Sequence, residues 1–131
     1  MPKPVAQLRA RIHDADAVLI ATPEYNYGVP GVLKNAIDWA SRPAATSCLL
    51  HKNVAIMGAA PTNFGSVRAQ LSLRQSFLWI HSKVLGKPEV VVFRAHDRFD
   101  DEGNLTDEGT KKLLADMVTA LADQTRANRS R

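Results

Sequence analysis

Two stretches of this chain combine the residue types that redox chemistry on a flat ring would require. The first is Thr22-Pro23-Glu24-Tyr25-Asn26-Tyr27-Gly28-Val29-Pro30-Gly31, and the second is Gly58-Ala59-Ala60-Pro61-Thr62-Asn63-Phe64-Gly65-Ser66. A planar heterocycle needs a flat wall to lie on, backbone donors near its polar edge, and close approach of the main chain. Tyr25 or Tyr27 can supply the wall, and the glycines permit the approach. A helix beginning near Pro30 points free N–H groups toward an electron-rich ligand. The same residues also suit an ordinary strand-to-helix loop, with tyrosines on the surface and glycines serving the turn.

Other chemistries find little support. Cys48 is the single cysteine, so no intramolecular disulfide forms, which fits a reducing compartment; it reads as a small hydrophobe in a loop-like stretch. His13, His51, His81 and His96 show no metal-ligand spacing, so no metal is expected. The acidic turn Asp100-Asp101-Glu102, with Asn104 and Asp107, fails the calcium-loop pattern. There is no Gly-x-Ser-x-Gly elbow for a hydrolase.

The elements that must position the two loops follow from periodicity. Residues 5–14 read as a helix with Val5, Leu8 and Ile12 on one face. Ala17–Thr22 is a continuous apolar run, the pattern of a strand buried on both faces. A helix is expected over Pro30–Ser41, stopped by Arg42-Pro43. Val54–Ala59 is a second strand, and Ser66 would cap a long helix reaching about Leu85, closed by Gly86 and Pro88. That helix is apolar on two faces: Val67, Leu71 and Leu78 on one, Leu73, Phe77, Ile80 and Val84 on the other. Trp39 and Trp79 sit in helices and read as packing residues. Glu89–Phe93 is a third strand, and Thr106 would cap a last helix with Leu113/Leu114, Met117/Val118 and Leu121 inward. Short buried strands alternating with helices imply one parallel sheet covered by helices on both faces.

The chain has 131 residues, 45% hydrophobic and 23% charged, as expected of a single soluble domain over residues 1–131. No apolar run is long enough to cross a bilayer, and no signal peptide is recognisable; no membrane partner and a cytoplasmic location are expected. Of the net charge of +4, three units come from Arg126, Arg129 and Arg131. Residues 124–131 therefore read as a basic, frayed tail, and nucleic acid is not an expected partner.

The run ATPEYNYGVPGVLKNAIDWASRP at residues 21–43 resembles the signature of the NADPH-dependent FMN reductase family, which includes quinone, azo-dye and chromate reductases. GAAPTNFGSVRAQLSLRQ at 58–75 is similar to the family's second loop and its helix, and RFDDEGNLTDEGTKKLLADMVTAL at 98–121 to its last loop and helix. The resemblance implies a flavodoxin-like α/β/α fold, with three strands evident here. It implies FMN as cofactor, NADPH or NADH as reductant, and a quinone-like or other small electron acceptor. By the same resemblance Pro23, Glu24, Tyr25 and Asn26 border the flavin ring, as do Ala60, Pro61, Thr62, Phe64 and Gly65. No residue is named as catalytic, because a flavin carries the redox chemistry itself. Arg68 and Gln70 stay open between the site, a neighbouring subunit and plain surface.

Family members open with a strand and a Gly-Ser-rich loop that cradles the FMN phosphate, and no such unit precedes Ala17. Phosphate contacts are charge-assisted hydrogen bonds, each worth about 1.5–3 kcal/mol. Strand 17–22 becomes an edge although its sequence is apolar, which invites pairing with another chain. Two accounts keep the oxidoreductase reading, a fragment of a full enzyme or a homo-oligomer in which another subunit covers the edge, and the homo-oligomer is the one expected. The alternative reading is a non-catalytic flavodoxin-like module that binds no flavin and serves assembly or partner binding.

Overall fold

The computed structural model describes residues 1–130. Within them, four α-helices and four parallel strands follow one another as α1 (Lys3–Asp14), β1 (Ala17–Ala21), α2 (Gly31–Ala40), β2 (Asn53–Ala59), α3 (Val67–Ile80), β3 (Lys83–Val84), β4 (Val90–Val92) and α4 (Glu108–Arg129). Strand β2 is the centre of the sheet. One of its edges takes β1, with register Ala17↔Asn53 through Ala21↔Met57. The other takes β3 at Asn53 and Val54, then β4 from Met57 to Ala59.

Alternate residues of β2 feed two cores, as the two-residue period of a strand requires. Val54 and Ile56 face Ile37 and Ala40 of α2 and Leu73 and Phe77 of α3, with Ile12 of α1 packed alongside. Ala55 faces the opposite layer, where Met117 and Leu121 of α4 meet Leu85, Val90 and Val92. The expected three-layer, flavodoxin-like arrangement is present.

Several expectations need correction. The sheet has four strands rather than three, because the helix expected to reach Leu85 stops at Ile80. His81 is left-handed at φ 61°, and the Ser82 N–H turns back to the Phe77 carbonyl. The chain then gains a sheet partner: the Leu85 N–H bonds to the Val54 carbonyl at 2.7 Å, and the Leu85 side chain is buried in the α4 layer. Trp79 is not a packing residue within the chain, being 80% exposed, and Leu71 and Leu78 of the same helix are exposed too. The last helix is capped by Asp107, whose carboxylate accepts the Thr110 N–H, and not by Thr106. It also continues through the stretch expected to fray: Arg126 pairs with Asp123 and Arg129 with Asp16. Arg131 lies outside the described residues.

Candidate functional site

The loops leaving β1 and β2 lie side by side at the carboxyl end of the sheet, where ligands of open parallel sheets bind. Their adjacency begins in the ladder, since the Thr22 N–H donates to the Met57 carbonyl at 2.9 Å. Gly58 tightens it. A Cβ there would come within 2.3 Å of the Thr22 carbonyl and 1.9 Å of Ser66 Oγ, so only glycine lets β2, the first loop and the start of α3 meet.

The first loop turns through Asn26 (φ 48°) and Tyr27 (φ 71°). Tyr25 and Gly28 exchange both backbone hydrogen bonds across this turn, at 3.0 Å each. Two successive positive φ values make a tight hairpin-type turn. Asparagine tolerates that conformation, whereas tyrosine is strained in it. Tyr27 is held there by its neighbour: the Arg68 guanidinium lies 3.7 Å from its ring centroid and 4.7 Å from that of Phe64. Tyr27 first, and then Glu24, push the Arg68 pKa above its ordinary value against partial desolvation.

Glu24 is turned inward. Its side chain is 5% exposed and accepts the backbone N–H groups of Arg68 at 2.8 Å and Ala69 at 3.1 Å, as well as Arg68 Nε. Those amides belong to the first turn of α3, whose N–H groups have no partner inside the helix. Ser66 stands at the N-cap position without capping; its buried Oγ accepts from Gln70 Nε2 at 3.1 Å instead. A carboxylate from the first loop thus caps the helix that follows the second.

Of the residues expected at a flavin ring, Pro23, Tyr25, Asn26, Pro61, Thr62 and Phe64 are exposed on the two adjacent loops, and Ala60 is half-buried. Gly65 is buried at φ 57°, and a Cβ there would strike Val91 Cγ1 at 2.4 Å, so it lays the second loop against β4. The backbone N–H groups of Asn26, Tyr27, Thr62 and Asn63 find no acceptor among the described residues. Exposed aromatic faces and unspent amide donors fit the ring of a flavin, with its apolar faces and electron-rich edge. The described residues include no Gly-Ser-rich cradle for its phosphate.

Sequence reasoning left out a third loop. Ala60 N–H bonds to the Val92 carbonyl, Ala95 N–H to the Ala60 carbonyl and Arg94 N–H to the Thr62 carbonyl, so residues 93–95 flank the second loop. Arg94 is left-handed at φ 49° and pairs with Asp97 at 2.6 Å. Phe93 is 44% exposed beside it. The only signal in sequence was the abrupt change from the apolar Val90–Phe93 to Arg-Ala-His-Asp. Cys48 lies elsewhere: its Sγ donates to the Ala40 carbonyl at 3.3 Å, and burial pushes the thiol up.

Residues 1–97 match the family model described as NADPH-dependent FMN reductase. The chain is 46% identical over 120 residues to an NAD(P)H-dependent FMN reductase of Pseudomonas aeruginosa, covering 92% of this chain and 64% of the relative. It is 42% identical over 122 residues to an NAD(P)H:quinone oxidoreductase of Solanum tuberosum, covering 92% and 61%. The chain therefore spans somewhat less than two thirds of these relatives. Among solved structures, the flavoenzyme FerB of Paracoccus denitrificans, an NAD(P)H:acceptor oxidoreductase, superposes with a TM-score of 0.86. It is 37% identical and covers 96% of this chain and 69% of its own.

Proposed function

Because the chain belongs to the NADPH-dependent FMN reductase family, we propose that it forms the ring-binding part of an FMN-dependent NAD(P)H oxidoreductase acting on quinone-like or other small acceptors. The observation that carries this reading is the adjacency of the two loops, fixed by the Thr22–Met57 hydrogen bond, by Gly58 and by the Glu24 cap on α3.

In this reading Tyr25 and Phe64 offer aromatic surface to the ring, while Pro23, Asn26, Ala60, Pro61 and Thr62 border it. Glu24 and Gly65 act one step back: Glu24 fixes α3 against the first loop, and Gly65 seats the second loop on β4. The unspent amides of Asn26, Tyr27, Thr62 and Asn63 are the available donors to the ring's polar edge. When bound, FMN supplies the chemistry, accepting hydride from NADPH or NADH and passing reducing equivalents to the acceptor. The protein binds, orients and shields; no side chain is assigned proton transfer.

A homo-oligomer belongs to the same reading, supported by exposed Leu71, Leu78 and Trp79 on α3. A cytoplasmic location is also part of it and rests on the single cysteine. Among the described residues no helix is long and apolar enough to cross a membrane.

The test is titration of the purified chain with FMN, following flavin fluorescence and visible absorbance. Saturable quenching is expected. A chain that leaves flavin fluorescence unchanged would instead be the non-catalytic module, its loops serving assembly or a partner.

A further inference from the structure

The turn after β4 carries a cation that the two ring-bordering loops do not account for. Arg94 donates its backbone N–H to the Thr62 carbonyl at 2.9 Å, and Ala95 donates to the Ala60 carbonyl at 3.0 Å. Both acceptors belong to residues of the second loop that border the ring in the proposed function. Strands β1, β2 and β4 stand side by side, so their loops cross the carboxyl end of the sheet at intervals of about 5 Å. The third loop therefore lies at one end of a ring laid over the first two.

Arg94 is held in the left-handed region, at φ 49° and ψ 54°. Glycine or asparagine would occupy that conformation at less cost, because a long side chain's Cβ crowds the following carbonyl. The turn alone is better served by either, so the strain is carried for the side chain. Asp97 aims that side chain: Arg94 Nε donates to Oδ2 at 2.6 Å, while His96 Nε2 stands 3.4 Å from Oδ1 of the same carboxylate. The Arg94 side chain stays 51% exposed. Among the described residues its terminal nitrogens donate to nothing, which leaves a planar fork of N–H groups without acceptors.

The neighbouring cations are engaged. Arg68 is bonded to Glu24 and stacked on Tyr27 and Phe64; Arg98 is bonded to Asp107 and lies over Phe93. Little opposes an incoming anion. Glu24 is turned inward, the two ring-bordering loops contain no other acidic residue, and both oxygens of Asp97 are held. An exposed guanidinium fork of this kind matches the oxygens of a phosphate. The reductant of the proposed reaction brings phosphate to this surface, because its nicotinamide must lie against the ring and its diphosphate is one ribose away.

We infer that Arg94 binds a phosphate of the nicotinamide dinucleotide, with Asp97 and His96 positioning its guanidinium. The identity of the ligand rests on the proposed oxidoreductase; the phosphate contact itself requires no flavin. Two groups share this chemistry, the diphosphate common to NADH and NADPH and the 2′-phosphate of NADPH alone.

Amide chemical shifts of the isotope-labelled 131-residue chain, titrated with NADP+ and separately with NAD+, with and without saturating FMN, test the inference. Saturable shifts at Thr62, Arg94 and Ala95 are expected with NADP+. Arg94→Gln and Arg94→Gly should each raise its dissociation constant at least about tenfold. Arg94→Gly also relaxes the left-handed backbone, so its urea midpoint should not fall; a residue that only supports the turn would not separate affinity from stability. Lys112→Gln, which removes a cation paired with Asp116 on α4, should leave the affinity unchanged. If both dinucleotides are weakened equally by loss of Arg94, the diphosphate is the group bound; if NADP+ alone is weakened, it is the 2′-phosphate. NADP+ binding indifferent to Arg94 overturns the inference, as do shifts confined to other loops or no saturable shift with either dinucleotide. Inorganic phosphate binding as tightly at the same amides overturns it too. FMN titration reports separately. A chain that binds FMN but no dinucleotide through Arg94 loses this inference alone, and one that binds the dinucleotide through Arg94 but no FMN loses the flavin reading alone.

Discussion

The Glu24 carboxylate accepts the backbone N–H of Arg68 at 2.8 Å, across a sequence separation of 44 residues. Through that contact the loop after β1 supplies the helix cap that Ser66 does not, adding a side-chain tie to the backbone bond from Thr22 to Met57 that already sets the two loops side by side. Glu24→Ala leaves the first-turn amides of α3 without a charged acceptor, a loss of about 1–2 kcal/mol by the usual worth of a cap. The urea midpoint should fall accordingly, and flavin affinity should fall with it. Glu24→Gln, which keeps an acceptor oxygen, should lose less. Equal effects from the two variants would show that capping is not what this carboxylate does.

Gly58→Ala tests the same junction from beneath. The added methyl would overlap the Thr22 carbonyl and Ser66 Oγ. The hydroxyl can rotate away, but the carbonyl belongs to the backbone and must be pushed. Overpacking of this kind costs about 1–3 kcal/mol. The expected result is a lower urea midpoint with displaced amide resonances at Thr22 and Ser66. An unperturbed spectrum with unchanged stability would contradict the close approach.

Much of this arrangement was legible in the residues. Ala17–Ala21 and Asn53–Ala59 announce strands by their apolar runs, although only the second is buried and the first leaves Leu19 42% exposed; the Gly- and Pro-bearing loops fall where they were expected. What could not be read depends on contacts distant in sequence. The end of α3 at His81 is decided by a strand position that Leu85 gains only once β2 is beside it. Glu24 resembles a ring-facing residue in sequence, yet it turns inward because the start of α3 lies within reach. The tail beyond residue 124 carries charge that suggests fraying, but Asp16 is placed to receive Arg129. The third loop had no periodicity to mark it at all.

Acid should weaken the fold through the cap of α4. Asp107 accepts the Thr110 hydroxyl and backbone N–H at 2.6 and 2.9 Å and pairs with Arg98 at 2.9 Å. These contacts, Thr110 foremost, hold its pKa below the ordinary 3.8. A depressed folded-state pKa means that the unfolded chain takes up the proton first as pH falls. The stabilisation is complete above pH 3.8 and is lost as pH drops through the lower, folded value. Asp97, lowered chiefly by Arg94, and Asp100, lowered chiefly by Asn104, act in the same sense. Urea midpoints measured from pH 7 down to about 2 should decline only below about 4. Asp107→Asn, still a capable cap, should flatten that decline. A variant with the same acid profile as the parent would remove Asp107 from its cause.

Tyr27 combines two opposing effects that substitution can separate. Its left-handed backbone costs about 1–2 kcal/mol in a non-glycine residue, while its ring gains an attraction from Arg68 at 3.7 Å. Tyr27→Ala keeps the strain and loses the stack, so stability should fall. Tyr27→Gly loses both together, so stability should stay within about 0.5 kcal/mol of the parent. Two equally unstable variants would mean that the stack, not the turn, dominates.

Tyr25 offers the cleaner probe of the ring wall. It stands next to that turn with 62% of its surface exposed, and among the described residues no cation stacks on its ring. Its own backbone bonds to Gly28 survive truncation of the side chain. Tyr25→Ala should therefore leave the urea midpoint nearly unchanged while weakening FMN binding about tenfold, the scale of one lost aromatic stacking partner. Phe64→Ala makes a useful companion, because it removes the second aromatic face while also loosening Arg68, and so should lower both affinity and stability. If Tyr25→Ala binds FMN as tightly as the parent while Phe64→Ala does not, the ring lies on the second loop alone. The first loop would then contribute through Glu24 and its backbone amides only.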